Sequence, residues 1–128
     1  MSYFFSKAID GPFDAAVERV KAVLKKDGFG VLTEIDVRKT LKEKLGVDFQ
    51  NYRILGACNP PSAYRALQAE DKIGLMLPCN VIVQERENGK VEVAAIDPVA
   101  SMQAVANPAL EAVGEEVRAT LKKVIDRL

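Results

Sequence analysis

The chain has no histidine among its 128 residues, only two cysteines, and no net charge, with eighteen Lys and Arg against eighteen Asp and Glu. Each shortage closes off a class of function. Without histidine there is no side chain that ordinarily titrates near neutral pH, so histidine-based triads and every His-containing metal motif are excluded. Any chemistry falls to thiols, carboxylates, lysines, tyrosines or a bound ligand. Balanced charge leaves no global field to draw in nucleic acid or an anionic membrane, and neither is expected as a partner. The apolar runs are too short to span a bilayer. Residues 1–11 include Lys7 and Asp10 and lack the basic start, apolar stretch and small-residue cleavage site of a secretion signal. The expected location is therefore the cytoplasm. Two cysteines are too few for a disulfide framework in a chain of this size, and a structural bridge would be unusual in that reducing compartment.

What is present suits one globular domain over residues 1–128, since 48% of the residues are hydrophobic and 28% charged, and a chain this long can bury its own core. Ser2 to Ile9 reads as a strand. From Pro12, the positions Phe13, Ala16, Val17, Val20, Val23 and Leu24 recur at three- and four-residue steps, the pattern of an amphipathic helix ending at Lys25-Lys26-Asp27-Gly28. Phe29 to Ile35 reads as a second strand. Asp36 then caps a helix whose apolar stripe is Val37, Leu41 and Leu45 and whose end is Gly46. Its other face, with Arg38, Lys39, Lys42 and Lys44, is most simply a solvated surface.

Tyr52 to Cys58 has apolar residues on both faces and reads as an interior strand. Asn59 and Pro60 supply a cap and a first helical residue. An apolar segment from Ile73 to Pro78 leads into Val81-Ile82-Val83, and Asn88-Gly89 signals a hairpin with Val91-Glu92-Val93. A two-residue loop there sets Glu87 against Lys90 and Asn80 against Asp97, and it leaves Glu85 facing Glu92, a like-charge pair. Asp97-Pro98 starts a brief helical turn and Asn107-Pro108 the longest helix, striped by Leu110, Val113, Val117, Leu121, Val124 and Leu128. The order implies an α+β domain, with a mixed sheet of about five strands covered by helices and a long C-terminal helix.

The two cysteines occupy matching settings, Ala57-Cys58-Asn59-Pro60 and Leu77-Pro78-Cys79-Asn80, each at the edge of an apolar run beside a proline. Strand ends that meet helix starts form ligand crevices, so Cys58, Asn59, Cys79, Asn80 and Asp97 are the candidate binding residues. A helix start just after Cys58 would stabilise its thiolate, and a second thiol nearby would allow disulfide chemistry or a soft metal ion held by Cys58 and Cys79. Against this, free cysteine is most often a small buried hydrophobe. Other constellations are weaker. Gly28-Phe29-Gly30 opens a strand, which is the wrong context for a phosphate loop. Glu34 and Asp36 could form an acid/base pair, but Asp36 is already a helix cap. Met76 and Met102 read as core fillers.

Gly28-Phe29-Gly30, Cys58-Asn59-Pro60, Leu77-Pro78-Cys79-Asn80 and Asp97-Pro98, in this order, resemble the bacterial and archaeal proteins grouped as "domain of unknown function 302". The resemblance covers essentially the whole chain. It implies a compact, dimeric α+β fold, with the Asn-Pro and Leu-Pro steps as the general signature and the cysteines as marks of a subset. It supplies no activity, substrate or cofactor. The expected function is a small binding or sensing module, as a homodimer, with a small-molecule or soft-metal ligand. The alternative is a thiol-dependent redox enzyme or sulfur carrier, with Cys58 as nucleophile and Cys79 as resolving thiol.

Overall fold

A computed structural model describes residues 2–128. Five strands form one sheet in the order β1-β5-β4-β3-β2: β1 Phe4–Ile9, β2 Gly30–Asp36, β3 Tyr52–Cys58, β4 Cys79–Glu85 and β5 Val91–Ile96. The helices are α1 Phe13–Lys26, α2 Val37–Leu45, α3 Pro60–Ala69, the short α4 Pro98–Ser101 and α5 Glu111–Asp126; 3-10 turns span Ile73–Met76 and Pro108–Leu110. The α+β class, the five strands and the long last helix match the sequence reading. Every neighbouring pair of strands is antiparallel, so the sheet is of one kind rather than mixed. The strands on either side of α1, β1 and β2, lie at opposite edges and never pair.

One face of the sheet carries the core. Leu55 and Ala57 of β3, Val81 and Val83 of β4, and Val91, Val93 and Ala95 of β5 are all sealed from solvent. Against them pack Ala16, Val17, Val20 and Leu24 of α1 and Leu121, Val124 and Ile125 of α5, each of the larger side chains contributing about 1.5–3 kcal/mol by leaving water. The stripe on α5 is thus core, not a free seam. That helix spans sixteen residues, because the chain first makes a 3-10 turn after Asn107. The C-terminal ends of the two long helices are tied together by Arg127, whose Nη1 donates to both carboxylate oxygens of Asp27 at 2.9 and 3.0 Å.

The hairpin differs from the two-residue loop. Val81 faces Ala95 and Gln84 faces Glu92, a shift of one residue. Gly89 N–H donates to Arg86 O, Arg86 N–H donates to Lys90 O, and Gly89 takes φ +76°, so the loop is Glu87-Asn88-Gly89, a turn followed by one left-handed residue. The shift removes the Glu85–Glu92 clash and gives Glu92 a hydrogen bond from Gln84 at 2.9 Å.

The apolar segment that leads into β4 takes the form of a 3-10 turn over Ile73–Met76. Asp36 caps α2 as expected, accepting from Lys39 N–H at 3.0 Å, yet no residue of α2 is buried and Leu45 is 69% exposed. The helix follows the last residue of β2, at the end of the sheet away from Cys58, where no second layer covers its stripe. The outer face of the sheet is also half-open: Ile35, Ile54 and Ile82 are successive partners across β2, β3 and β4.

Glu34 and Asp36 do not form an acid/base pair. Glu34 binds Lys21 and accepts from Arg53 Nη1 at 2.7 Å, and Asp36 lies 3.6 Å from Arg53 Nη2. The Lys21 hydrogen bond, assisted by Arg53 and opposed by burial, holds the Glu34 carboxyl below its ordinary range. A carboxyl lowered in this way contributes stability above its unfolded value, and the contribution is lost as pH falls through the folded one. Glu34→Gln should therefore cost about 1 kcal/mol near neutral pH, as for a partly shielded ion network. The cost should fade toward pH 3, as read from unfolding curves of both proteins across pH; an unchanged difference at acid pH would show that Glu34 acts through packing instead.

Candidate functional site

Both cysteines lie where β3 and β4 end, and the residues around them are small. Ala57 is the register partner of Cys79, which places Cys58 one step beyond it. Ala63 and Ala66 approach from α3, and Val113, Gly114 and Val117 from α5. Together they leave a cavity of about 300 Å³, closed further by Phe29, Leu77, Pro98 and Met102. Its volume is at the lower end for small-molecule sites. A larger hollow of about 760 Å³ adjoins it beneath the segment 98–115, but Gln103, Asn107, Glu111 and Glu115 make it wetter.

Close approaches at Asn59 and at Gly56 position the backbone segments around the cavity, the first at its rim and the second on the outer face of β3. Asn59 accepts from Ser62 N–H through Oδ1 at 3.1 Å, capping α3, and donates from Nδ2 to Gly28 O at 3.3 Å. Gly28 has φ +86°, and a Cβ there would sit 3.1 Å from Asn59 Nδ2, so the position suits glycine on both counts. On β3, a Cβ at Gly56 would collide with Thr33 Oγ1 and lie 2.7 Å from Pro78 Cγ. Glycine here lets β2 and the Leu77-Pro78 step close over the strand. The Gly28-Phe29-Gly30, Asn59-Pro60 and Leu77-Pro78 segments, distant in sequence, thus meet at one mouth.

Of the five candidate residues, Cys58, Asn59 and Cys79 line the cavity. Asn80 and Asp97 do not. Asn80 alternates away from Cys79 and is exposed on the outer face, opposite Gly56. Its expected pairing with Asp97 fails with the hairpin register. Asp97 is buried but fully engaged: Oδ1 accepts from Val99 and Ala100 N–H, and Oδ2 accepts from Arg118 Nε at 3.1 Å. It acts as the cap of α4 and brings the adjacent Pro98 into the cavity wall.

The chemistry of the thiols also differs from expectation. Both are free, Cys58 half-buried and Cys79 buried. Burial, reinforced by the neighbouring Cys58, pushes the Cys79 thiol up to about 11, so it stays neutral near pH 7 and is a poor resolving nucleophile. The start of α3 offers Cys58 no free donor. Pro60 and Pro61 have no N–H, Ser62 N–H goes to Asn59 Oδ1, and Ala63 N–H goes to Asn59 O. Among the described residues no group of three or more Cys, Asp or Glu is arranged to hold a metal ion.

Sequence reasoning did not place Ser62, Ala63, Ala66, Met102 or Gly114 in the site, and it read Met102 as a core filler. The one visible signal was the glycine inside the otherwise regular apolar stripe of the last helix. Ser62 is only 7% exposed and its hydroxyl makes no hydrogen bond to the described residues. No sealed side-chain polar atom lacks a partner, so this hydroxyl opens onto free space.

The fold is that of a small α+β protein with one antiparallel sheet. Residues 5–128 match the model of the family described as "Domain of unknown function DUF302", and the chain belongs to it. The crystal structure of an uncharacterized conserved DUF302 protein from Bacillus stearothermophilus is similar, with 30% identity and a TM-score of 0.91 over 99% of this chain and 98% of that one. A comparison with curated proteins finds no match. No described helix is long and apolar enough to cross a membrane.

Alkylation of the native protein should be selective. At pH 8, iodoacetamide should modify one thiol, as read by intact mass. Cys79→Ser should leave that adduct in place, and Cys58→Ser should abolish it. Labelling of Cys79 in the folded protein would contradict both its burial and its raised titration.

Proposed function

We propose that the chain is a binding module for a small apolar molecule, held in the cavity between the ends of β3 and β4 and the helices α3 and α5. The observation that carries this reading is a preformed hollow of about 300 Å³ with almost wholly apolar walls, into which three of the candidate residues are drawn. Apolar walls with a few placed polar groups are the usual composition of ligand sites. Cys58, Asn59 and Cys79 belong to the site in this reading, while Asn80 and Asp97 serve other purposes. A homodimer would use the half-open outer face with Ile35, Ile54 and Ile82, since the α5 stripe and both Val81 and Val83 are spent on the core.

The thiol reading, redox or sulfur transfer at Cys58, has in its favour that both cysteines share one cavity wall. The same placement lets them offer two sulfurs to a soft ion. The neutral state of Cys79 makes apolar binding the stronger of the two.

Titration with N-phenyl-1-naphthylamine, an uncharged dye that brightens in apolar surroundings, tests the binding reading. The native protein should bind it saturably with one site. Ala66→Leu, which adds bulk to the cavity wall, should weaken binding at least about tenfold, the effect of losing about 1.4 kcal/mol. A second variant, Ala63→Leu, guards against a merely strained core. Undiminished binding by both folded variants would place the dye elsewhere and remove the cavity from the account.

A further inference from the structure

The cavity wall contains no lysine, arginine, aspartate or glutamate. Cys58 and Cys79 are its only ionisable groups, and Cys79 is held neutral by burial. A charged ligand group inside would meet no counter-charge, and an unpaired charge in such surroundings is strongly unfavourable. A charged pair stands just beyond the wall. Phe29, Asn59, Ser62 and Val117 separate the cavity from a second groove lined by Arg65, Glu116 and Thr120. There Arg65 Nη2 donates to Glu116 Oε2 at 2.6 Å, so the two charges satisfy one another.

Ser62 stands on the shared wall, at the junction of apolar and polar space. It is more than nine-tenths buried, and among the described residues its hydroxyl has no partner. The other polar groups nearby are occupied: Asn59 uses both ends of its amide, on Ser62 N–H and on Gly28 O. Ser62 is therefore the one free hydroxyl in the wall, able both to donate and to accept.

Resting on the binding reading above, we infer that the ligand class is an uncharged apolar molecule with one terminal hydroxyl or carbonyl, its apolar body in the cavity and its polar end hydrogen-bonded to Ser62 Oγ. The lining selects against a carboxylate or an ammonium, and the Ser62 hydroxyl supplies one hydrogen bond to the neutral oxygen that remains.

Displacement of N-phenyl-1-naphthylamine by four eight-carbon compounds separates these terms. Octan-1-ol should displace the dye at roughly tenfold or more lower concentration than octanoate or octylammonium, because only the neutral head is free of the desolvation cost. Ser62→Ala should weaken octan-1-ol by about threefold to tenfold, the range for one net hydrogen bond. Oct-1-ene, which has no hydroxyl, should displace the dye equally well from both proteins, showing that the cavity is intact. Octanoate as the best competitor would overturn the neutral class and point to Arg65; an unchanged octan-1-ol affinity in Ser62→Ala would overturn the anchor. Either result leaves dye binding, and so the binding reading, standing. Absence of dye binding to the native protein would instead remove the reading on which this inference rests.

Discussion

Burial of a single face of the sheet governs this molecule. The valines of β4 and β5 and the aliphatic faces of α1 and α5 fill the middle of that face to complete exclusion of water. Toward the ends of β3 and β4 the residues become Ala57 and Cys79, and the helices above them present Ala63, Ala66 and Gly114. There the side chains shrink. Volume is left over, and close packing elsewhere keeps it from collapsing. The cavity is a consequence of where bulk is withheld, so its walls are apolar by inheritance from the core.

The segments that carry the sequence resemblance acquire a physical meaning in this frame. Gly28, Asn59 and the Leu77-Pro78 step hold the mouth of the cavity. Asn59 joins the end of β3 to the start of α3 and to the carbonyl at Gly28, and Gly56 permits Thr33 and Pro78 to close over the strand. None of these groups is arranged for proton transfer or nucleophilic attack. They fix backbone positions around a hollow, which is what a binding site requires of its rim. Cys79 contributes small, neutral wall surface, and Cys58 is the more open of the two thiols.

Much of the fold was legible because its signals are local. Asp36, Asn59 and Asp97 each accept the helical N–H groups expected of a cap, and the steps of Phe13 to Leu24 and Leu110 to Val124 mark the buried helix faces. The hairpin register was not legible, since Asn88-Gly89 fits both a two-residue loop and the last part of a three-residue one. The choice depends on cross-strand pairs such as Gln84 with Glu92. The stripe of α2 misled for a related reason: periodicity shows that a helix has an apolar face, not that anything covers it. The candidate site was half legible. Strand ends beside prolines pointed to Cys58, Asn59 and Cys79, but Ser62 and Gly114 belong to it only through the meeting of segments far apart in sequence.

The central claim is that this hollow, and not the outer face of the sheet, receives an apolar molecule. Two-dimensional NMR of the native protein during addition of octan-1-ol tests it directly, because each alanine and valine methyl reports its own surroundings. The account predicts shifts concentrated at Ala57, Ala63, Ala66, Val113 and Val117, saturating together. Shifts centred on Ile35, Ile54 and Ile82 instead, with the cavity methyls unmoved, would contradict it.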